Sequence, residues 1–181
     1  MLVELALALA IRSSNPALSE AKAHVYASWV LQESTARSLD PWIFQAIIHR
    51  ETRWSAGAVR HERNGSCSVG LGQINVPCRK QLIHSLLEPR ANLYRVGEML
   101  ERLQRTCKHD CQDLGWLRGY NPGDAVYLAA IQEAVRNYDA QTTQPHLLSV
   151  SPRVHASWVP WKATHRAGRE CWMDIGSSDP L

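Results

Sequence analysis

The run Asp40-Pro41-Trp42-Ile43-Phe44-Gln45-Ala46-Ile47-Ile48-His49-Arg50-Glu51-Thr52 spells out a helix from its cap to its last turn. Asp40 suits the N-cap, because its carboxylate can accept from a free N–H of the first turn. Pro41 suits the first helical position, where no N–H is needed. Ile47 and Ile48 stand four and three residues before Glu51 and share its face. Ile43 and Phe44 continue that face one turn earlier. A carboxyl group therefore closes an apolar stripe. Desolvation there disfavours the charged form and raises the pKa. A carboxyl that keeps its proton near neutrality can serve as a general acid. The plainer alternative is an ion pair at a helix end with Arg50, Arg53 or Arg60.

Further helices lie on both sides. Leu2 to Ile11 is apolar except for Glu4. The basic residues that open a secretory leader are missing from it, so it reads as the first helix of the fold rather than as a trimmed signal. Asn15-Pro16 or Ser19 can start a helix in which Val25, Tyr26, Trp29 and Val30 recur at helical spacing. Ala91 to Thr106 carries Leu93, Val96, Leu100 and Leu103 as one stripe. Asn121-Pro122-Gly123-Asp124 is a turn that hands over to another helix. Asp124 can cap it, and Tyr127, Ile131, Val135 and Tyr138 share a face. Gly57 to Pro77 reads as a loop with a turn at Asn64-Gly65, and strand signals are few. Beyond Gln141 the periodicity fades, while Trp158, Trp161 and Trp172 recur without a pattern. The expected class is mainly α, with a domain at 1–141 and an irregular C-terminal extension at 142–181.

The composition limits the function classes. The 181 residues suit one domain with a real core. Apolar residues make up 45% and charged residues 20%, which excludes a disordered or collagen-like chain. No apolar run reaches the ~18 residues of a membrane-crossing helix. The formal net charge of +3 is spread along the chain without a basic cluster, so nucleic acid is not an expected partner. Five cysteines favour an oxidising environment. Cys67 and Cys78 bracket a short glycine-rich stretch and could staple it. Cys107 and Cys111 could close a helix end, and Cys171 is left over. A zinc site would draw on Cys107, His109 and Cys111, with His84, but no C-x-x-C pair occurs. The expectation is no metal and no cofactor.

Three further stretches carry chemistry. Gly70-Leu71-Gly72-Gln73-Ile74-Asn75 follows Glu51 by 19 to 24 residues. Its glycines permit close backbone approach, and Gln73 and Asn75 offer amides suited to sugar hydroxyls and acetamido groups. Gly119-Tyr120-Asn121-Pro122-Gly123 supplies an aromatic ring that can stack on a sugar and a hydroxyl that can donate. Trp42, Trp54 and Trp116 could be sugar platforms, although each fits a core position as well.

In this order, the motifs resemble the lysozyme-like lytic transglycosylases. The corresponding stretches are Glu51-Thr52, Ala58-Val59 through Asn64-Gly65-Ser66, and Gly70 to Asn75. Asn92-Leu93-Tyr94-Arg95-Val96-Gly97 and Gly119 to Gly123 complete the set. The likeness covers about residues 20 to 140. It looks strongest to the small members found in secretion systems and phage virions. It implies a lysozyme-like helical domain with a saccharide groove. It also implies cleavage of the β-1,4 bond between N-acetylmuramic acid and N-acetylglucosamine of peptidoglycan, leaving a 1,6-anhydromuramoyl end. By carry-over, Glu51 is the single acid and base, and Tyr120 orients it or the sugar. Gly70, Leu71, Gly72, Gln73 and Asn75 line the groove, and Asn121 supports its turn.

The chain departs from the family at Thr52 for serine, at Gly72 for methionine and at Pro122 for alanine. Arg60 and His61 stand where many relatives carry a serine, and neither takes over its role. The resemblance places the action in the bacterial envelope, either as a periplasmic enzyme or carried there by a phage tail or secretion apparatus. Residues 142–181 would then pack on the domain or dock it to such a partner. Two alternatives differ in kind. A hydrolytic muramidase would need a positioned water or a second carboxylate, for which Glu62, Asp110, Asp113, Asp124 and Glu133 are the candidates. A structural component of a virion or secretion channel would need none.

Overall fold

The structure is a computed structural model that describes residues 2–108, 112–122 and 124–143. Six α-helices are found among these residues: α1 (Leu2–Ser14), α2 (Glu20–Arg37), α3 (Pro41–Thr52), α4 (Lys80–Leu86), α5 (Pro89–Thr106) and α6 (Ala125–Thr143). A 3-10 segment spans Gln112–Gly119. Three short strands, β1 (Val59–His61), β2 (Ser66–Val69) and β3 (Ile74–Pro77), lie between α3 and α4. The mainly helical class is as expected. The C-terminal extension falls outside the described residues, and α6 continues two residues past the expected boundary at 141.

The core is built around α3. Asp40 Oδ1 accepts from Trp42 N at 2.9 Å, and Pro41 takes the first position. Trp42 through Ile48 are buried without a break. A helix apolar on all sides must be enclosed by others. Accordingly α1, α2 and α6 all pack on it, while α2 also packs on α5. The expected stripe of Leu93, Val96, Leu100 and Leu103 on α5 is buried. So are Tyr127, Ile131 and Val135 on α6, whose Asp124 Oδ1 caps Tyr127 N at 2.9 Å. Trp42, Trp54 and Trp116 are all buried, as core positions rather than exposed platforms.

One polar side chain ties this core together. Gln45 is fully buried. Its Nε2 donates to Ser14 Oγ of α1 at 3.0 Å and to Tyr138 Oη of α6 at 3.3 Å. Its Oε1 accepts from Trp54 Nε1 at 2.8 Å. Trp54 follows Arg53, and both have left-handed backbones with φ of 62° and 50°. That conformation is costly for a bulky residue. Burial of the Trp54 ring, stacked on Tyr26 at 5.7 Å, holds it in place.

The stretch from Gly57 to Pro77 is not the plain loop that its turn residues imply. It forms an antiparallel sheet of order β1-β2-β3, with Arg60 opposite Ser68 and Ser68 opposite Asn75. Strands of three or four residues are too short to show alternation, and β1 is exposed throughout. The Asn64-Gly65 turn is present, with Gly65 at φ 84°. The Cys67–Cys78 disulfide, a pairing that the sequence leaves open, forms and ties β2 to the residue after β3. Cys107 is also disulfide-bonded, which removes it from the zinc set of Cys107, His109, Cys111 and His84. His109, Cys111 and Cys171 lie outside the described residues. Among those residues, no helix is long and apolar enough to cross a membrane.

Replacing Gln45 by Leu would leave the buried Trp54 N–H without its acceptor. A loss of about 2–3 kcal/mol is expected. Urea unfolding followed by tryptophan fluorescence measures it.

Candidate active site

Glu51 sits in the last turn of α3 and is half-buried. The hydroxyl of Tyr127, on α6, donates to Glu51 Oε1 at 2.8 Å. Burial raises the Glu51 pKa above its ordinary 4.5; the Tyr127 hydrogen bond and the charges of Arg60 and Arg50 offset part of that rise. The negative end of the α3 dipole acts in the same direction as burial. Glu51 makes no ion pair among the described residues, so the helix-end pairing with Arg50, Arg53 or Arg60 does not form there.

Two tyrosines frame this carboxyl. Tyr120 and Tyr127 stack with ring centroids 6.4 Å apart and planes 7° apart. The Tyr120 hydroxyl donates to Gly72 O at 2.7 Å. Burial, and then the charge of Glu51, push the pKa of both hydroxyls up, so both remain donors. Tyr120 therefore anchors the Gly70–Gln73 turn, and Tyr127 holds the carboxyl. Thr52 Oγ1 adds a second tie by donating to Leu71 O at 2.8 Å. The hydroxyl kept at Thr52 thus joins the end of α3 to the turn after β2.

That turn depends on two glycines and one asparagine. Gly70 has φ 74°, and a Cβ there would collide with the Asn92 amide and Leu86 O. A Cβ on Gly72 would overlap a Val96 methyl and stand 2.8 Å from the Tyr120 hydroxyl. Asn92, fully buried on α5, donates to Val69 O and Leu86 O at 2.9 Å and accepts from Gly72 N at 2.9 Å. Without a side chain, residue 72 leaves the space that Tyr120 occupies.

The structure brings Glu51, Tyr120 and Gly72 together and backs them with Leu71. Gly70, Leu71 and Gly72 are buried, so they shape the turn from behind. Gln73 is half-buried and folds back, its Nε2 donating to Gly70 O at 3.0 Å. Asn75 is exposed on β3 and donates to Ser66 Oγ at 2.8 Å, away from the tyrosine pair in bonding. Asn121 accepts from Asp124 N through its carbonyl, at the turn before α6. A hollow of about 400 Å3, lined by residues that include Leu103, Trp116 and Arg118, contains none of these side chains.

Of the second carboxylates, Glu62 is bound by Ser68 and Arg60, and Asp124 caps α6. Asp113 and Glu133 are exposed, and Asp110 lies outside the described residues. No metal-ligand cluster among the described residues includes Glu51. Tyr127 is the site residue that sequence reading placed only in a core stripe. Its position at the head of the α6 face was legible, but its partner 76 residues away was not.

Comparison with protein-family models, curated proteins and solved structures returns no match.

Since the folded pKa of Glu51 exceeds the unfolded one, this carboxyl favours folding fully below pH 4.5, and the contribution is lost as pH rises through the raised value. Glu51→Gln should therefore raise Tm by a few degrees at neutral pH, with the gain fading at about pH 4. Calorimetry across that range checks it.

Proposed function

We propose that the chain is a peptidoglycan lytic transglycosylase that cuts the β-1,4 bond after N-acetylmuramic acid with Glu51 as its only acid and base. The observation that carries this reading is a half-buried carboxyl at the end of a core helix, held by one tyrosine hydroxyl and in no ion pair among the described residues. The order of the flanking motifs supports it.

The chemistry follows from that carboxyl. With Oε1 accepting from Tyr127, the acid proton resides on Oε2. Oε2 protonates the glycosidic oxygen as the C1–O bond breaks towards an oxocarbenium-like centre. The carboxylate then takes the proton of the muramoyl 6-hydroxyl while O6 closes on C1. The proton count balances, no water is consumed, and the product is a 1,6-anhydro sugar. The intramolecular hydroxyl has a high effective concentration, so a carboxylate nucleophile is not required. Neither metal nor cofactor enters the reaction. Tyr127 is a positioning residue, and Tyr120 keeps the turn against it. The site of action is the bacterial envelope, with a saccharide groove over Glu51. A phage tail or secretion apparatus is the carrier.

Digestion of purified peptidoglycan followed by mass spectrometry of the muropeptides tests the reading. Wild type should yield products one water lighter than hydrolysed ones. Glu51→Gln should lower their rate by about 10²–10⁴-fold. Products with ordinary reducing ends would indicate a hydrolytic muramidase. No product from a folded wild type would leave a structural role. Tyr127→Phe should retain activity at a rate roughly tenfold lower, with the alkaline limb of the pH profile moved upward, because the lost hydrogen bond had held the Glu51 pKa down.

A further inference from the structure

A second cluster of reactive side chains lies on the small sheet. His61 and Cys67 are opposite one another in the β1–β2 register, so both side chains leave the same face. Cys78 follows the last residue of β3, whose Pro77 pairs with Ser66. This brings His61 Nδ1 to 3.3 Å from Cys67 Sγ and 3.7 Å from Cys78 Sγ. All three ligand atoms lie within 4.8 Å of one another.

That spacing has a chemical meaning. Zinc binds thiolate sulfur at about 2.3 Å and imidazole nitrogen at about 2.0–2.1 Å, usually as a tetrahedron. The edges of such a tetrahedron are about 3.5 Å from nitrogen to sulfur and about 3.8 Å from sulfur to sulfur. The imidazole already stands near the required edge distance from both sulfurs. Only the sulfurs have to separate. With their Cα atoms 5.1 Å apart, rotation about the two Cα–Cβ bonds achieves that without displacing the strands.

We propose that reduction of the Cys67–Cys78 disulfide creates a zinc site, with His61 Nδ1 and the two sulfurs as ligands and a water as the fourth. A dithiol reductant supplies two electrons and two protons, is itself oxidised to a disulfide, and leaves two thiols. Zn²⁺ then displaces both thiol protons to solvent, and the neutral imidazole contributes its lone pair. The same two sulfurs cannot bond each other and the ion, so oxidation expels the metal. The device holds the sheet by a metal in a reducing compartment and by a covalent bond in an oxidising one. Cys67 is fully buried, whereas His61 and Cys78 are exposed and give the ion its path in. The inference is independent of the catalytic reading of Glu51.

The test uses the full chain, reduced with a phosphine, freed of reductant under nitrogen and titrated with Co²⁺ as the spectroscopic probe for Zn²⁺. One equivalent should produce a thiolate charge-transfer band and the visible bands of tetrahedral cobalt, bleached by Zn²⁺. The oxidised chain should produce neither. His61→Ala, at an exposed position, and Cys78→Ser should each weaken binding by at least about tenfold. The proposal is overturned by absent bands in a reduced chain that keeps its helical circular dichroism, or by loss of that dichroism on reduction. Bands that either substitution leaves unchanged would overturn it too, since they would place the ion on other cysteines.

Discussion

Burial of α3 on every side is the constraint on which the molecule depends. Seven consecutive buried residues leave no solvent face until the last turn. Three other helices must therefore enclose it, and the first residues beyond the enclosure are where chemistry becomes possible. Glu51 is placed there by helix geometry alone. It is close enough to the core to be poorly hydrated and close enough to the surface to meet a ligand. The same burial that stabilises the fold thus disfavours the ionised carboxylate.

A buried helix brings polar obligations as well. Gln45 sits among apolar residues, yet each of its polar atoms finds a partner on α1, on α6 or at the end of α3. Asn92 plays the matching part under the Gly70–Gln73 turn, binding two carbonyls and one N–H. Each is a satisfied buried amide, and each fixes the relative placement of elements that apolar packing alone would leave free to slide. Between them they set both walls of the site, α3 with α6 on one side and the turn after β2 on the other.

Much of this was legible in the residues. Asp40-Pro41 marks the start of α3, and the apolar stripe ending at Glu51 gives its desolvation. The α5 and α6 stripes and the Asp124 cap follow from spacing, whereas the Cys67–Cys78 staple is only one of the pairings that spacing permits. Other parts were not legible, for physical reasons. The strands are short and partly exposed, so their pairing rests on backbone ladders that leave little trace in side-chain pattern. Tyr127 and Tyr138 look like members of one core stripe, because periodicity reports a face and not a partner. Only tertiary packing turns one of them towards Glu51 and the other towards Gln45. Gly72 is informative in a different way. A glycine where the resembled family has methionine looks like a lost groove wall, but here it is the space that lets Tyr120 reach the turn backbone.

The central claim is that burial makes Glu51 an acid and that Tyr127 restrains how far. Titration of the Glu51 side-chain carboxyl by carbon NMR, in wild type and in Tyr127→Phe, addresses it directly. The account predicts a pKa above 4.5 in wild type and a higher one in the variant. A wild-type value at or below 4.5, or one that the variant leaves unmoved, would contradict it.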